Sequence, residues 1–127
     1  MIKFDEIGRR HLVCFDVDDT LILHHRKPQP GDIVHYLTHN NLKEHEVIVH
    51  TKHVDMLKRH KQFGKCWIIV WSWGGADWAE LVVKTLGLED YVDLVTGKPF
   101  KYYDDLAASE WMGKPVYYPH PFRGSTP

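Results

Sequence analysis

Three aspartates, Asp16, Asp18 and Asp19, lie within four positions of one another, directly after the apolar run at residues 12–15. Carboxylates at this spacing repel one another unless a cation lies among them, and oxygen-rich clusters of this kind suit Mg²⁺. A carboxylate can also attack phosphorus to form an aspartyl-phosphate, and a second carboxyl can protonate the leaving oxygen and later activate water. The alternative is an acidic loop in which Asp19 or Thr20 begins a turn as an N-cap.

Ser72 follows the most strongly strand-like run of the chain, at residues 66–71, and is followed by Trp73, Gly74 and Gly75. A hydroxyl at a strand end with glycines after it can present its Oγ and backbone N–H groups to a phosphate. Trp73 is also placed to contact a substrate, for example by stacking on a base. The alternatives are a plain turn between a strand and a helix, and tryptophans that only pack the core.

A third group of charged residues comprises Lys98, Lys101 and the pair Asp104 and Asp105. A lysine near the aspartates would neutralise phosphoryl oxygens and an attacking carboxylate. The aspartate pair would complete a metal shell. The alternatives are a solvated loop lysine and a helix N-cap formed by the aspartates before residues 106–112.

Apolar periodicity predicts the elements that must position these groups. The predicted strands lie at 11–16, 32–37, 46–51, 66–71, 91–95, 100–103 and 116–118, and the predicted helices at 52–62, 76–86 and 106–112. Strands that alternate with helices indicate an α/β domain with a mainly parallel central sheet. In open sheets of this kind, ligands bind outside the carboxyl ends of the strands, which is where the acidic cluster and Ser72 would lie.

The length of the chain, 127 residues, predicts a single domain over 1–127. Within it, residues 21–50 form an insert after the first strand, and the polar stretch 39–41 between two strand-like runs predicts a hairpin flap. Residues 19–31 read as loop because they contain Pro28, Pro30 and Gly31. The Pro-containing end, 119–127, is expected to be a loosely ordered tail.

The order of these motifs resembles the haloacid dehalogenase-like (HAD) superfamily of phosphohydrolases over residues 12–118. The resemblance implies a Rossmann-like three-layer domain, a requirement for Mg²⁺ and an aspartyl-phosphate intermediate. It implies a nucleophile at Asp16, a general acid/base at Asp18 and a charge-balancing lysine at Lys98, because Lys-Pro shortly before Asp-Asp is the familiar arrangement. The resemblance also implies that Thr20 forms the turn and contacts the substrate, and that Ser72 binds phosphate with Trp73 and Gly74 beside it. The implied metal ligands are Asp16, Asp18 (through its backbone carbonyl), Asp104 and Asp105.

Many members of the superfamily cover the site with a cap domain, whereas the 21–50 insert is long enough only for a flap. The site is therefore expected to be open to small phosphate esters, phosphoproteins or nucleic-acid ends. The basic tract His24, His25, Arg26 and Lys27 is a candidate for holding an anionic substrate, with a solvated loop as the alternative.

Composition narrows the remaining classes of function. A net charge of −1 gives no global field for nucleic acid or membranes, and no apolar run approaches the ~20 residues that span a bilayer. Residues 1–10 contain no signal-like stretch, and both cysteines lie within apolar runs, so we expect a cytoplasmic protein with free thiols, no membrane association and no obligate partner. Ten histidines invite a zinc hypothesis, but His45, His50, His53 and His60 lack the spacing of a structural zinc site.

The sequence thus predicts a Mg²⁺-dependent phosphomonoesterase. The alternative is a catalytically silent phosphate- or nucleic-acid-binding module on the same fold, although an anion binder gains nothing from several carboxylates that face its ligand. Hydrolysis of a carbon–halogen bond is a further possibility within the superfamily, but Asp18 and the later aspartate pair favour phosphate.

Overall fold

The structure, a computed structural model, describes residues 11–39 and 43–121. The expectation that residues 1–10 carry no signal peptide lies outside the described residues. So do the turn residues Asn40 and Asn41 of the predicted flap and positions 122–127 of the predicted tail.

The described strands are β1 (Leu12–Asp16), β2 (Ile22–Leu23), β3 (Val34–Leu37), β4 (His45–Val49), β5 (Trp67–Ser72) and β6 (Leu94–Gly97). The described helices are α1 (Thr51–Gln62) and α2 (Ala76–Thr85), with single 3-10 turns at Glu89–Tyr91 and Ala108–Glu110. The predicted strands at 11–16 and 66–71 and the predicted helices at 52–62 and 76–86 are therefore confirmed to within one residue at either end.

β1, β5 and β6 form a three-stranded parallel sheet in the order β1-β5-β6. The central strand β5 alternates buried and half-buried residues, and Ile68 and Val70 are fully buried in the core. The register pairs Asp16 with Trp71 and Ser72 with Gly97, so all three strands end at the same edge. This edge is where a ligand would meet the strand ends.

β2, β4 and β3 form a second, antiparallel sheet in that order. The β3–β4 ladder, from Val34–Ile48 to Leu37–His45, confirms the predicted hairpin. β2 corrects the prediction that 19–31 is all loop. Because it is two residues long, it offers no periodicity to read, although both of its side chains are buried.

The two sheets share one hydrophobic core with both helices. β1 and β2 contribute Phe15 and Ile22, β4 contributes Val47, α1 contributes Leu57 and α2 contributes Val82. Both helices contact β5. The hairpin insert is therefore packed into the body of the domain, which is mixed α/β with one parallel sheet.

Neither α1 nor α2 is long and apolar enough to cross a bilayer, within the part of the chain that the structure describes.

The chain after α2 departs from the prediction. The strand expected at 91–95 begins only at Leu94, because Glu89–Tyr91 forms a 3-10 turn. No strand occurs at 100–103 or 116–118, and the helix expected at 106–112 is reduced to the turn Ala108–Glu110. The physical reason is exposure: the aromatic and apolar side chains of this segment, such as Tyr103 and Val116, face solvent and gain no burial from a regular element.

Cys14 and Cys66 are free thiols, as expected. Burial raises the pKa of the Cys14 thiol, which keeps it in the unreactive neutral form at neutral pH.

Candidate functional site

The first two motifs and the lysine of the third meet at the carboxyl edge of the parallel sheet. Asp16 is the last residue of β1, Ser72 the last of β5, and Lys98 follows β6 directly. The Lys98 N–H donates to the Ser72 carbonyl at 2.9 Å, which extends the β5–β6 pairing by one bond. The sheet register therefore positions all three residues.

The acidic loop after β1 is a tight turn around one buried carbonyl. The Val17 oxygen accepts hydrogen bonds from the N–H groups of Thr20, Leu21 and Ile22, at 3.2, 2.9 and 3.2 Å. Asp19 adopts a left-handed conformation with φ of 60°, which Asp tolerates better than most residues. This turn points Thr20 Oγ1 back at β1, where it donates to Asp16 Oδ2 at 3.2 Å.

The Asp16 carboxylate is partly buried and faces one cation. Lys98 Nζ lies 3.9 Å from Asp16 Oδ1, and the two side chains keep about a third of their surface exposed. Burial raises the pKa of Asp16, and the Lys98 charge and the Thr20 hydrogen bond oppose this shift. Asp16 is thus a partly desolvated carboxylate with a neighbouring positive charge and an open side, which are the properties of a usable nucleophile.

Asp18 has very different surroundings. Its Oδ1 lies 2.7 Å from His24 Nε2 and accepts from Trp78 Nε1 at 3.0 Å, and its Oδ2 accepts from Ser72 Oγ at 3.1 Å. Burial would raise the pKa of Asp18, but these hydrogen bonds and the His24 charge outweigh it and lower the pKa. The same bond raises the pKa of His24. The side chain is held by protein partners, which suits a metal role for the Asp18 backbone carbonyl rather than for its carboxylate.

His24 and Trp78 are contacts of the site that the sequence reasoning did not assign. His24 belongs to the tract that is a candidate for holding an anionic substrate, and Trp78 lies in the predicted helix at 76–86, where helix packing is the alternative to stacking on a base. No residue spacing signals the contact of Trp78 with Asp18, because it depends on the direction of α2. His24 could be found only from the reversal of the chain through β2, which brings residue 24 back to Asp18.

The Ser72 loop depends on close backbone approach. Gly74 N–H donates to Ser72 Oγ at 2.9 Å, and a Cβ on Gly74 would lie 2.9 Å from Trp78 Cδ1. Gly75 has φ of 100°, a conformation that L side chains rarely adopt. Both glycines are therefore required by the turn. Ser72 itself is 1% exposed, so its Oγ reaches a ligand only by exchanging a present partner.

The two candidate lysines, Lys98 and Lys101, lie at different distances from the site. The Lys98 ammonium lies beside Asp16 and 5.9 Å from the ring centre of Trp73. Lys101 is exposed, and its ammonium lies 5.8 Å from the ring centre of Phe100. Of the two, Lys98 is the one that the fold brings to the nucleophile candidate.

Asp104 and Asp105 are not brought to the cluster by any described contact. Both are exposed, and Asp104 Oδ1 accepts from the Leu106 N–H at 3.0 Å. This bond and the neighbouring Asp105 lower the pKa of Asp104. This bond closes a local turn and is not the helix N-cap considered as the alternative, because the 3-10 turn Ala108–Glu110 begins after Ala107 and has no side-chain cap.

The atoms at the end of β1 that could serve as metal ligands are oxygen atoms. Among residues 11–39 and 43–121, no group of three or more His, Cys, Asp or Glu side chains is placed to hold a metal ion. Asp16 offers a carboxylate and Asp18 a backbone carbonyl. Mg²⁺ sites commonly use one or two carboxylates, with water and substrate phosphate supplying the other ligands. The residues therefore fit Mg²⁺ in chemical kind.

The histidines considered for zinc have other partners. The rings of His50 and His53 stack with centres 3.7 Å apart. His50 Nε2 bonds the Tyr118 carbonyl at 2.9 Å and His53 Nδ1 bonds the Thr20 carbonyl at 2.7 Å. His53 Nε2 accepts from the Tyr118 N–H at 2.9 Å, and His50 Nδ1 from the His53 N–H at 3.3 Å. Together these bonds occupy all four ring nitrogens.

His45 and His60 contact aromatic rings instead. Their ring centres lie 6.1 Å from that of Trp78 and 6.2 Å from that of Phe15, respectively.

An open groove of about 280 Å³ lies away from this cluster, between the hairpin and the two helices. Its lining includes Ile33, Val54, Lys58 and Leu86 and none of the site residues described above. The strand-end cluster lies outside this groove, with about a third of the Asp16 and Lys98 side chains exposed and Ser72 buried.

Comparison of the chain with protein-family models, curated proteins and solved structures finds no match. The resemblance to the haloacid dehalogenase-like superfamily therefore rests on sequence motifs alone and stays a prediction. The structure contributes the coarser fact that Asp16, Asp18, Ser72 and Lys98 converge at one edge of a parallel sheet.

Proposed function

We propose that this chain is a Mg²⁺-dependent phosphomonoesterase of the haloacid dehalogenase-like type, on a Rossmann-like three-layer domain, with Asp16 as the nucleophile. The observation that carries the proposal is the setting of Asp16: partly buried at the end of β1, with Thr20 on Oδ2 and Lys98 Nζ 3.9 Å from Oδ1. A carboxylate held on one oxygen and faced by a cation on the other is oriented for attack on a phosphate ester.

In the first step Asp16 Oδ1 forms a bond to phosphorus as the bond from phosphorus to the leaving oxygen breaks. Lys98 balances the charge on the equatorial oxygens, which is greatest in the transition state. Ser72 and the Gly74 N–H lie beside the same edge and are the proposed phosphate-binding groups.

In both steps Asp18 handles protons. His24, whose pKa its contact with Asp18 raises, supplies the proton that Asp18 passes to the leaving oxygen, and the Asp18 carboxylate then takes a proton from the water that attacks the aspartyl-phosphate. That attack releases inorganic phosphate and regenerates Asp16. Trp78 and His24 both bond Asp18 Oδ1, which fixes the direction of the carboxyl group.

A bound Mg²⁺ would supply positive charge that offsets the negative charge of the nucleophile and of the phosphoryl oxygens. Asp16 and the Asp18 backbone carbonyl are the proposed ligands, and Asp104 and Asp105 are proposed to supply further oxygens. The pair lies in the segment that follows Lys98, within a few residues of the site along the chain.

The alternative, a silent phosphate- or nucleic-acid-binding module, has one observation in its favour. Ser72 Oγ and the Asp18 carboxylate are already satisfied by one another and by Gly74, Trp78 and His24. A protein that binds a phosphate ester without turnover leaves the bonds of His24 and Trp78 to Asp18 intact, whereas proton transfer by Asp18 disturbs them.

A phosphatase screen separates the two. Release of inorganic phosphate is measured from nucleotides, sugar phosphates, phosphopeptides and 3′- or 5′-phosphorylated oligonucleotides, with Mg²⁺ and with a chelator. The proposal expects Mg²⁺-dependent turnover that is lost in Asp16→Asn and kept in Asp55→Asn, a matched change at a solvent-facing ion pair on α1. Saturable binding of a phosphate ester with no release of phosphate would favour the silent module.

A further inference from the structure

Trp73 is an exposed indole at the edge of the candidate site. Trp73 is 66% exposed, whereas Trp78, five residues on, is 7% exposed and donates to Asp18. A single exposed apolar residue is ordinary on a protein surface. The position of Trp73 between Ser72 and Gly74 is what distinguishes it, since these two residues form the loop at the end of β5.

The ring is linked to the nucleophile candidate through one lysine. Lys98 Nζ lies 5.9 Å from the centre of the Trp73 ring and 3.9 Å from Asp16 Oδ1. A cation at this distance from the ring is within the range of a cation–π contact. A phosphate ester bound against Asp16 and Lys98 would therefore have the exposed indole of Trp73 beside it.

The chemistry of the ring selects the kind of group that it can hold. An exposed indole offers a flat π surface, and planar aromatic groups stack on such a surface with little regard to their hydrogen-bonding pattern. A sugar ring packs on an indole only through its C–H bonds, and an aliphatic amino acid has no aromatic face. Among phosphate esters, a nucleotide combines a phosphate with a planar base at a short, fixed separation.

We propose that Trp73 is a stacking platform for the nucleobase of the substrate, so that the site prefers nucleotides to phosphate esters that lack a base. This inference rests on the proposed phosphatase function, since it assigns the phosphate to Asp16 and Lys98. The nucleobase is that of a free nucleotide or of a phosphorylated nucleic-acid end, which share this chemistry.

The test uses pairs of substrates that differ only in the base: the 5′-monophosphates of adenosine and uridine against ribose 5-phosphate. The wild-type protein should show a kcat/KM for the nucleotides that is roughly tenfold or more above that for ribose 5-phosphate. Trp73→Ala should lower kcat/KM for the nucleotides more than kcat/KM for ribose 5-phosphate, so that the preference is lost. Trp73→Phe should restore most of it, because phenylalanine keeps a flat ring.

The matched control is Trp111→Ala. Trp111 is also exposed, at 56%, but lies in the segment after the site, and its removal should leave the ratio of the two kcat/KM values unchanged. The 5′- and 3′-phosphorylated oligonucleotides extend the series: a higher kcat/KM than for the mononucleotides identifies a nucleic-acid end as the substrate, and a lower value identifies a free nucleotide.

Equal kcat/KM values for nucleotides and ribose 5-phosphate in the wild type would overturn the inference. So would an equal loss on both substrates in Trp73→Ala, which would show a structural role.

A second measurement separates this inference from the phosphatase proposal. It is equilibrium dialysis of adenosine 5′-monophosphate and of ribose 5-phosphate against the Asp16→Asn variant and against the Asp16→Asn, Trp73→Ala double variant. Tighter binding of the nucleotide that depends on Trp73 supports stacking even if no ester is hydrolysed, and binding that is equal for the two ligands contradicts it.

Discussion

Asp16 and Asp18 carry the same functional group two positions apart, yet each lies in a different environment. Burial raises the pKa of Asp16, with Lys98 as the opposing charge. For Asp18, hydrogen bonds from His24, Trp78 and Ser72 outweigh the effect of burial and lower the pKa. At the scale of single residues, the lowered pKa favours the charged Asp18 carboxylate, so a proton that Asp18 passes on must come from a neighbour, and His24 is in contact with it.

The first prediction concerns Lys98. Lys98→Ala should lower kcat by ~10²–10³-fold, because removal of one preorganised electrostatic group commonly costs this much. Lys101→Ala is the matched control and should change kcat only modestly, since its ammonium lies against Phe100. The measurement is kcat with Mg²⁺ on the best substrate of the screen. The reverse ranking would move the role to Lys101, and no effect from either change would count against the family resemblance itself.

The second prediction concerns Asp18. Asp18→Asn keeps the attacking carboxylate of Asp16 but removes the proton donor, and loss of general acid–base help typically costs ~10²–10⁴-fold. The loss should be smaller for aryl phosphates, whose leaving groups need less protonation, than for alkyl phosphates. Rates of the phosphorylation step across a series of leaving groups provide the measurement. An equal loss across the series, with that step limiting, would contradict the assignment of Asp18.

At the scale of elements, the stacked pair His50 and His53 joins three parts of the chain. His50 precedes α1 and His53 lies in its first turn; their rings bond the Thr20 carbonyl of the acidic turn and both backbone groups of Tyr118. Because a carbonyl only accepts, each ring has one nitrogen that donates and one that accepts. The bonds therefore require both imidazoles to be neutral.

The third prediction follows from this requirement. Burial, together with the charge that His53 would carry, lowers the pKa of His50 from its ordinary value of 6.5 to about 4, and burial also lowers the pKa of His53. A His whose pKa is lower when folded takes up its proton more readily when unfolded. Above pH 6.5 such a histidine is neutral in both the folded and the unfolded protein, so it does not affect stability. Between pH 6.5 and about 4 the unfolded protein binds the proton and the folded protein does not, so the free energy of unfolding falls as the pH falls. For His50 alone the full loss is roughly 3 kcal/mol.

Urea unfolding at a series of pH values between 7 and 4 measures this loss. His50→Gln should show a shallower fall of the free energy of unfolding with decreasing pH than the wild type, whatever its stability at pH 7. His11→Gln changes an exposed histidine and should keep the wild-type slope. A His50→Gln slope equal to that of the wild type would show that His50 does not titrate in this range.

The elements that the sequence predicted well are those whose signal is local. β1, β5, α1 and α2 each carry an apolar run or a helical period that is complete within the element. The segment after Lys98 carries comparable apolar residues, but no buried surface is available for them, and this depends on distant parts of the chain.

At the scale of the whole molecule, the candidate site could be predicted only in part. Strand ends in a parallel sheet share an edge, so the meeting of Asp16, Ser72 and Lys98 follows from the predicted sheet. The contacts of His24 and Trp78 with Asp18 depend on the path of the insert and the direction of α2, which residue spacing does not encode. The predicted place of Asp104 and Asp105 at the metal relied on a strand that the structure does not contain.

The central claim is that Asp16 becomes phosphorylated during turnover. The most direct measurement is mass spectrometry of the protein quenched in acid during steady turnover with Mg²⁺, followed by peptide mapping. The account predicts one added phosphoryl group on the peptide that contains Asp16, its loss on treatment with hydroxylamine, as expected for an acyl phosphate, and its absence from Asp16→Asn. Turnover that persists in Asp16→Asn, or a phosphoryl group trapped on a different residue, would contradict the account.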